Sequence, residues 1–401
     1  MFLDFTFPTK LLIGAGSLSK LKKISLPGRK ALVVASAGGS LRRSGAMDKL
    51  LSLLGEREVE TVLFEKVLPN PIQAHVTEGC ALAKETGCDF IIGIGGGSVI
   101  DTAKAIALTA ANGGDFYDYV AGGSGKAQRP KNAPLPTVAI PTTAGTGTES
   151  DPWAVITDEK TQEKIGFGFK GSKHTFPTIS IVDSDLMLSV PPRLTAFQGF
   201  DALFHATEGY ISSTSSPISD MFALKAISLI GENLAEAVNN GRDTGPPEES
   251  STSSNSDARE NMALASTLAG IVEWTSACIG PHALEHGISA VKPEVAHGEG
   301  LIILAKAYYS KMATNCDKMT EMARALGKKD ASCPQDFVTR LVELMEQCGV
   351  ADLTLSAHGI TEADLPLFNE KAWDMAGYMF KCDPIRMSKD ETLELLKEAY
   401  C

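Results

Sequence analysis

Short apolar runs alternate with helical patterns between the N-terminus and Val190. Five of the runs are rich in β-branched residues and are predicted to be strands, at residues 30–35, 61–66, 89–94, 136–140 and 178–183. Between two of them, residues 72–86 carry apolar side chains at the spacing of an amphipathic helix. The alternation predicts an α/β unit in which helices cover a parallel sheet.

The pattern changes after Val190-Pro191-Pro192, where strand-like alternation nearly disappears. Helices are predicted at residues 194–212, 217–239, 257–279, 299–312, 334–348 and 388–400. The polar stretch 241–257, rich in Ser, Pro and Gly, is predicted to be a surface loop. We therefore expect an α/β domain over residues 1–186 and an all-helical domain over residues 187–401.

The composition is that of a folded protein with a sizeable core. Of the 401 residues, 43% are hydrophobic and 21% are charged, which is close to the usual globular mixture. Lysine and arginine total 37 against 49 aspartates and glutamates, so the net charge is −12. This acidic balance argues against nucleic acid or an anionic membrane surface as a partner.

Targeting segments and cysteine motifs also bear on where the protein works. No run reaches the roughly 20 apolar residues of a membrane span, and the N-terminus, MFLDFTFPTKLL, lacks the pattern of a signal peptide. The eight cysteines include no C-x-x-C pair. This favours free, mostly buried thiols in a reducing compartment and argues against a thiolate-ligated zinc. We expect a cytoplasmic protein.

Two loops have the character of phosphate or nucleotide sites. Gly95-Gly96-Gly97-Ser98 joins strand 89–94 to a helix, and backbone N–H groups at such a turn suit a phosphate. The dinucleotide fingerprint is only half met, so a tight structural turn is the alternative. Lys104, in the second turn of that helix, could add a counter-charge or face solvent. The threonine-rich loop 141–149 suits a nucleotide lying across a parallel sheet, or is an ordinary turn.

Four of the seven histidines fall within one part of the chain, at His205, His282, His286 and His297. Asp201 and His205 are four residues apart, as are His282 and His286, so each pair shares one face of a helix. A histidine taken singly is usually a satisfied polar residue. Jointly these side chains can converge on one divalent cation, such as iron(II) or zinc. Such a cation would polarise a carbonyl opposite a nicotinamide that exchanges a hydride.

Five segments in one order give the chain a family resemblance: GIGGGSVIDTAKAIA, IPTTAGTGTES, GFDALFHATEGY, ENMALASTLAGI and HALEHGISAVKPEVAHGEGL. With these segments the chain resembles the iron-containing (group III) alcohol dehydrogenases. The resemblance implies an N-terminal α/β dinucleotide-binding domain, a helical metal-binding domain and an active site in the cleft between them. It also implies hydride transfer between NAD(P) and a primary alcohol, diol or aldehyde, by a homodimer or higher homo-oligomer.

The same resemblance assigns roles to individual residues. The implied ligands of Fe²⁺ or Zn²⁺ are Asp201, His205, His282 and His297. His286 matches the histidine beside the nicotinamide and is the candidate proton relay. The implied cofactor contacts are Gly95, Gly96, Gly97, Ser98, Asp101, Thr142, Thr143, Thr146 and Thr148, with Lys164 and Leu186 lining the cofactor site.

One position departs from the pattern of NAD-using members, which often carry an Asp after the strand that corresponds to residues 30–35. Here the residue is Ser36, and a carboxylate that would repel a 2′-phosphate is missing. The surrounding loop consists of Ser36, Gly38, Gly39 and Ser40, with Arg42 and Arg43 nearby. It is similar to the loop of NADP-using butanol dehydrogenases, which favours NADP over NAD. The alternative is that both arginines are simply solvated.

Other functions fit the same scaffold. A dehydroquinate synthase-like lyase would surround a polyanionic substrate with basic residues, and the metal-site motifs here carry none. A metal-free maleylacetate reductase is a closer relative, but Asp201 and His205 are intact. A non-catalytic nucleotide-binding protein would tolerate loss of the ligands, and this chain has kept all four.

Overall fold

The computed structural model describes residues 5–171, 174–239 and 252–400. The chain forms two compact units. The first consists of Met1–Thr143, Gly147–Thr161 and Ile165–Ser189, and the second of Ala144–Thr146, Gln162–Lys164 and Val190–Cys401.

A six-stranded parallel sheet forms the centre of the first unit. Its strands are β1 (Lys10–Ile13), β2 (Lys30–Ser36), β3 (Glu60–Val67), β4 (Phe90–Gly95), β5 (Thr137–Pro141) and β8 (Ile179–Val182), in the order β1-β8-β5-β4-β2-β3. Strands β6 (Ala154–Asp158) and β7 (Glu163–Phe167) form a separate two-stranded sheet. β4 and β5 are buried along their whole length, as expected of parallel strands with helices on both faces.

The helices of the first unit are α1 (Ser40–Arg43), α2 (Ala46–Gly55), α3 (Gln73–Thr86) and α4 (Gly97–Asn112). The register of β4 and β5 pairs Gly95 with Pro141, so both strands end at the same level. The glycine turn after β4 and the threonine loop after β5 therefore begin side by side, and the Thr142 amide donates to the Gly95 carbonyl at 2.9 Å.

The second unit is helical, with α5 (Pro192–Ile211), α6 (Pro217–Asn239), α7 (Thr252–Thr275), α8 (Gly280–Val291), α9 (His297–Met312), α10 (Lys318–Ala325), α11 (Gln335–Cys348), α12 (Leu365–Ala376) and α13 (Lys389–Glu398). α5 packs against α6, α7 and α9 and is buried almost throughout from Thr195 onwards. Polar residues of α5 are therefore buried as well, and they need partners.

The predicted class, an α/β unit followed by a helical one, is confirmed. The five predicted strands are present, but β1, β6 and β7 were not predicted. Most of the predicted loop 241–257 lies outside the described residues, and its last six residues belong to α7. The predicted helix 257–279 is wrong at its end: α7 stops at Thr275 and α8 starts at Gly280, because Pro281 favours the first turn of a new helix.

Within the described part of the chain, no single helix has both the length and the hydropathy of a membrane span. The bent pair Ser256–Thr275 and Gly280–Val291 meets that test when its two helices are taken together.

Candidate active site

The Asp201 carboxylate lies among the three histidines that the resemblance pairs with it. Its Oδ1 atom is 3.5 Å from Nε2 of His297, 3.7 Å from Nε2 of His282 and 3.8 Å from Nε2 of His205. These separations are too long for hydrogen bonds. Asp201 Oδ1 and His282 Nε2 are both buried without a hydrogen-bond partner among the described residues. We call Asp201, His205, His282 and His297 the Asp201 cluster.

Three helices bring the Asp201 cluster together. Asp201 and His205 lie one turn apart on α5, whereas His282 is in the first turn of α8 and His297 is the first residue of α9. Gly298 allows α9 to start close to α5, because a Cβ there would lie 2.3 Å from the Phe197 carbonyl oxygen. The rings of His205 and His282 stack with centroids 4.5 Å apart.

Two further carboxylates orient the histidines, and neither was predicted. Glu208 Oε1 lies 2.7 Å from Nδ1 of His282, and Glu285 Oε2 contacts Nδ1 of His297. Each contact occupies Nδ1 and turns Nε2 toward Asp201, as carboxylates commonly do behind metal-binding histidines. Helical spacing could have revealed both, because Glu208 follows Asp201 by seven residues and Glu285 follows His282 by three.

The electrostatics of the cluster favour a cation. Burial alone would raise the pKa of Asp201, but the neighbouring imidazoles hold it at about 2. Burial lowers the pKa of His205 to about 3, so this imidazole is neutral and offers a lone pair. Burial would also lower the pKa of His282, but Cys278 and Glu208 raise it well above its ordinary value, so a metal ion that binds this ring has to displace a proton.

The spacing of the donor atoms fits a divalent metal ion. Two ligand atoms that each bind a tetrahedral metal at about 2.1 Å are about 3.4 Å apart, close to the 3.5–3.8 Å from Asp201 Oδ1 to the three nitrogens. Asp201, His282 and His297 form one group in which all ligand atoms lie within 4.8 Å of one another. One carboxylate with imidazoles suits iron(II) or zinc. The residues therefore fit the metal that the resemblance implies.

His286 and Lys164 lie beside this cluster in the second unit. The His286 ring is buried, with its centroid 5.7 Å from that of His297, and burial and Lys164 lower its pKa well below the ordinary value. Lys164 Nζ donates to Ser289 Oγ at 2.8 Å and lies 3.4 Å from Glu285 Oε2. Lys164 thus balances the charge of Glu285, an interaction that the sequence did not predict.

The glycine turn has the backbone form expected of a strand-to-helix junction. Gly95 has a φ of +155°, and α4 starts at Gly97 without a side-chain cap on its first amides. A Cβ at Gly96 would lie 3.2 Å from Thr143 Cγ2, so the turn and the threonine loop are in close contact. Thr146 falls in the segment Ala144–Thr146 of the second unit, and Leu186 packs against the core of the first.

Lys104 does not face solvent, so that expectation for it is wrong. Its side chain is fully buried, and Nζ lies 2.7 Å from Thr148 Oγ1 and 3.1 Å from Asp151 Oδ1. It also donates to the backbone carbonyls of Asp151 and Trp153, at 2.9 and 2.7 Å. Asp101 Oδ1 in turn accepts from Thr148 Oγ1 at 2.6 Å. We call Asp101, Lys104, Thr148 and Asp151 the Lys104 network.

The predicted adenosine loop follows β2, where Ser36 is the last residue of the strand. Gly39 has a φ of +66° and is the N-cap residue of α1. Arg43 Nη1 donates to the Gly38 carbonyl at 2.9 Å, and Arg42 Nε donates to Glu65 at 2.8 Å. Both arginines are exposed and engaged in surface contacts, so the alternative of purely solvated side chains is too simple.

Known proteins resemble the chain over nearly its whole length. Alcohol dehydrogenase 4 of Schizosaccharomyces pombe is 34% identical over 98% of this chain and 88% of its own. The NAD-dependent methanol dehydrogenase of Bacillus methanolicus is 32% identical over 92% and 93% of the two chains. The NADPH-dependent butanol dehydrogenase of Clostridium saccharobutylicum is 31% identical over 99% and 97%.

A solved structure and two family profiles agree with these relatives. The archaeal halo-thermophilic Red Sea brine pool alcohol dehydrogenase ADH/D1 superposes with a TM-score of 0.89 at 31% identity, over 100% of both chains. The profile of the iron-containing alcohol dehydrogenases matches residues 8–184, and that of the C-terminal part of the same family matches residues 195–400. The chain therefore belongs to the iron-containing alcohol dehydrogenase family.

Proposed function

We propose that the protein is a metal-dependent alcohol dehydrogenase or aldehyde reductase that transfers a hydride between NAD(P) and a primary alcohol, diol or aldehyde. One observation carries this proposal: a single buried oxygen of Asp201 faces three imidazole nitrogens at 3.5–3.8 Å. When bound there, Fe²⁺ or Zn²⁺ would supply a Lewis acid for the substrate oxygen, and the nicotinamide would supply the hydride chemistry.

The chain's own residues have separate tasks in this proposal. Asp201, His205, His282 and His297 hold the metal, and Glu208 and Glu285 fix the ring orientation of two of these histidines. His286 is buried next to His297, with the ring centroids 5.7 Å apart, and is the proposed relay for the proton that the alcohol gives up.

The first unit supplies the pyrophosphate contacts in the same proposal. The amides of Gly95, Gly96, Gly97 and Ser98 receive the pyrophosphate at the start of α4, whose dipole favours negative charge there. The remaining proposed contacts are Asp101, Thr142, Thr143, Thr146, Thr148, Lys164 and Leu186.

Activity after metal exchange tests the proposal. Protein reconstituted with Fe²⁺ is expected to oxidise primary alcohols or 1,2-diols with NAD(P), and chelation or His282→Ala should abolish that activity. His358→Gln, which changes a histidine outside the cluster, is the matched control and should retain it. Equal activity in the chelated enzyme or in His282→Ala would contradict the metal role and favour a maleylacetate reductase-like enzyme.

One observation and one experiment separate the remaining alternatives. Within the described residues, the Asp201 cluster has Lys164 beside it, and that ammonium already faces Glu285. A polyanionic substrate of the dehydroquinate synthase type would therefore find little positive charge. Binding of NAD(P) without any alcohol-dependent turnover across a broad panel of substrates would instead indicate a non-catalytic nucleotide-binding protein.

For the cofactor we propose NADP in preference to NAD. Ser36 leaves the end of β2 without a carboxylate, and the exposed pair of Arg42 with Glu65 is a surface ion pair that can give way to a phosphate at little cost. NADPH is therefore expected to bind more tightly than NADH by fluorescence titration, and Ser36→Asp should reverse the order. Equal or tighter binding of NADH by the unmodified protein would refute the preference.

The state of assembly is a separate proposal, based on the family alone. We expect a homodimer or a larger homo-oligomer, which light scattering coupled to size-exclusion chromatography measures directly. A monomer at micromolar concentration would contradict it.

A further inference from the structure

Cys278 lies in the short connection between α7 and α8, four residues before His282. It is a free thiol and is 7% exposed. A lone buried cysteine is usually a small apolar residue, and the cysteine pattern of the sequence predicted that role for it. The side chains around it indicate a different one.

The Cys278 sulfur belongs to a compact group of possible ligand atoms. The sulfur and one ring nitrogen each from His205 and His282 all lie within 4.8 Å of one another, and all three residues are buried. His282 Nε2 has no hydrogen-bond partner among the described residues, while its Nδ1 atom is held by Glu208. The available nitrogen of His282 is therefore its Nε2 atom.

We propose that His205, Cys278 and His282 form a second ligand set, which binds a soft divalent cation of the zinc class. This set shares His205 and His282 with the Asp201 cluster and replaces the oxygen of Asp201 with sulfur. Because one His282 Nε2 atom cannot bind two cations, occupation of one position excludes the other. The protein thus has two alternative metal positions, one with oxygen and nitrogen ligands and one with sulfur and nitrogen ligands.

The chemistry of the donors decides which ion each position prefers. Carboxylate and imidazole suit iron(II), whereas thiolate together with imidazole suits zinc and other softer ions. When a cation binds, the sulfur–metal bond forms as the S–H bond of Cys278 breaks, and the proton leaves to solvent.

A nearby carboxylate adds to the attraction for a cation. Glu273, in the last turn of α7, has its Oε2 atom 3.8 Å from Nε2 of His205. Its negative charge and that of Glu208 lie on two different helices next to the two histidines. These charges offset the cost of burying a divalent ion beside a single thiolate.

Cobalt spectroscopy tests this second set directly. One equivalent of Co²⁺ added to the metal-free, full-length protein is expected to give the near-ultraviolet charge-transfer absorption of a thiolate–cobalt bond. Cys278→Ser should lose this absorption. Cys316→Ser should keep it, because Cys316 is equally buried at 7% exposure and belongs to no group of ligand atoms among the described residues.

Zinc affinity provides a quantitative measure. In competition with a chromophoric chelator, Cys278→Ser is expected to weaken Zn²⁺ binding by at least about tenfold, and to weaken Fe²⁺ binding less. Absence of the absorption from the unmodified protein, or its persistence in Cys278→Ser, would overturn the second ligand set. So would an unchanged ratio of Zn²⁺ to Fe²⁺ affinity.

A measurement on the unmodified protein covers the case in which Cys278→Ser fails to fold. The ¹¹³Cd resonance of the cadmium-loaded protein is expected downfield, where a sulfur ligand places it, and a position typical of nitrogen and oxygen ligands alone would refute the proposal. This outcome is independent of hydride transfer. An enzyme without dehydrogenase activity can still show the sulfur ligand, and an active Fe²⁺ enzyme can lack it.

Discussion

The Lys104 network and the Asp201 cluster are both buried groups of charged side chains, one in each unit, but their polar atoms are satisfied to different degrees. Lys104 Nζ lies within 3.1 Å of four oxygen atoms, and Asp101 accepts a hydrogen bond on each of its carboxylate oxygens. In the Asp201 cluster, Asp201 Oδ1 and His282 Nε2 lack any such partner among the described residues.

This difference distinguishes a structural role from a binding role. A buried polar atom without a hydrogen bond costs about 1–3 kcal/mol, so a folded protein retains several together only where something else compensates. The Lys104 ammonium is satisfied by protein oxygens alone and ties α4 to the chain after the threonine loop. The Asp201 cluster has polar atoms that the proposed cation would satisfy.

The largest expected effect comes from breaking the satisfied network. Lys104→Met keeps most of the side-chain volume but removes the ion-pair partner of the buried Asp151 carboxylate and the donor to Thr148 Oγ1. We expect a loss of about 3–5 kcal/mol in the free energy of unfolding, measured by urea denaturation. The matched variant Lys49→Met, at an exposed position on α2, should change stability by less than about 0.5 kcal/mol. A similarly small loss for Lys104→Met would mean that the network is not structural.

Metal addition should satisfy the polar atoms of the Asp201 cluster. At a free metal concentration of about 100 times the Kd, binding to the folded state is expected to add about 2.7 kcal/mol of stability, seen as a rise in the thermal midpoint that a chelator reverses. Asp201→Ala should lose this rise, while Asp48→Ala, on the surface of α2, should keep it. If a chelator leaves the thermal midpoint of the metal-treated, unmodified protein unchanged, the distinction between the Lys104 network and the Asp201 cluster is wrong.

Substitution of Glu208, the carboxylate that supports His282 in the Asp201 cluster, should have an intermediate effect. Glu208→Gln preserves the shape of the side chain but weakens its hold on His282 Nδ1. We expect metal affinity to fall by about 10–100-fold, with little change in the stability of the metal-free protein. Glu232→Gln, at an exposed position on α6, should bind metal normally. Unchanged affinity in Glu208→Gln would show that the ring of His282 needs no support from this carboxylate.

The smallest expected effect concerns Asp383. One of its carboxylate oxygens has hydrogen-bond partners and the other has none among the described residues, so it is intermediate between the Lys104 network and the Asp201 cluster. Its Oδ1 atom accepts from the Gly280 amide at 3.0 Å and from the Tyr308 hydroxyl at 2.5 Å, but Oδ2 has no partner in the described part of the chain. Burial raises its pKa from 3.8 to about 7. The folded state therefore keeps a proton that the unfolded state releases, and stability falls as pH rises from 3.8 to about 7.

Asp383→Asn is uncharged at every pH and should remove this dependence. From the acid to the neutral end of that range, its free energy of unfolding is expected to rise by at least about 1 kcal/mol relative to that of the unmodified protein. Urea denaturation at several pH values measures this difference. Asp374→Asn, at an exposed position on α12, is the control and should follow the unmodified protein. Parallel curves for Asp383→Asn and the unmodified protein would contradict the raised pKa.

The parts of the fold that were predictable are those with a local signal. Strands such as β2 and β4 are short runs of β-branched residues, and the pairs Asp201–His205 and His282–His286 follow from helical spacing alone. Strands β1, β6 and β7 are short and only partly apolar, so their formation depends on neighbours that local periodicity does not describe.

Long-range contacts account for what was missed around the sites. The partners of Lys104 lie 44 to 49 residues away, and a lysine is expected at the surface unless such partners are known. Cys278 lies near His205 and His282 because the helix ends at Thr275 and the chain turns before α8 begins at Gly280. The spacing of the cysteines carries no trace of that turn.

The assignment of Gln162–Lys164 to the second unit has a consequence for how the protein can be divided. Lys164 reaches Ser289 and Glu285 from a segment that lies before Val190 in the chain. A fragment starting at Val190 would contain the whole Asp201 cluster but would lack the ammonium that balances Glu285. Exchange of the helical unit between relatives by a single cut near residue 190 would therefore transplant the proposed metal ligands without one of their supports. A working chimaera would need a second, separate graft.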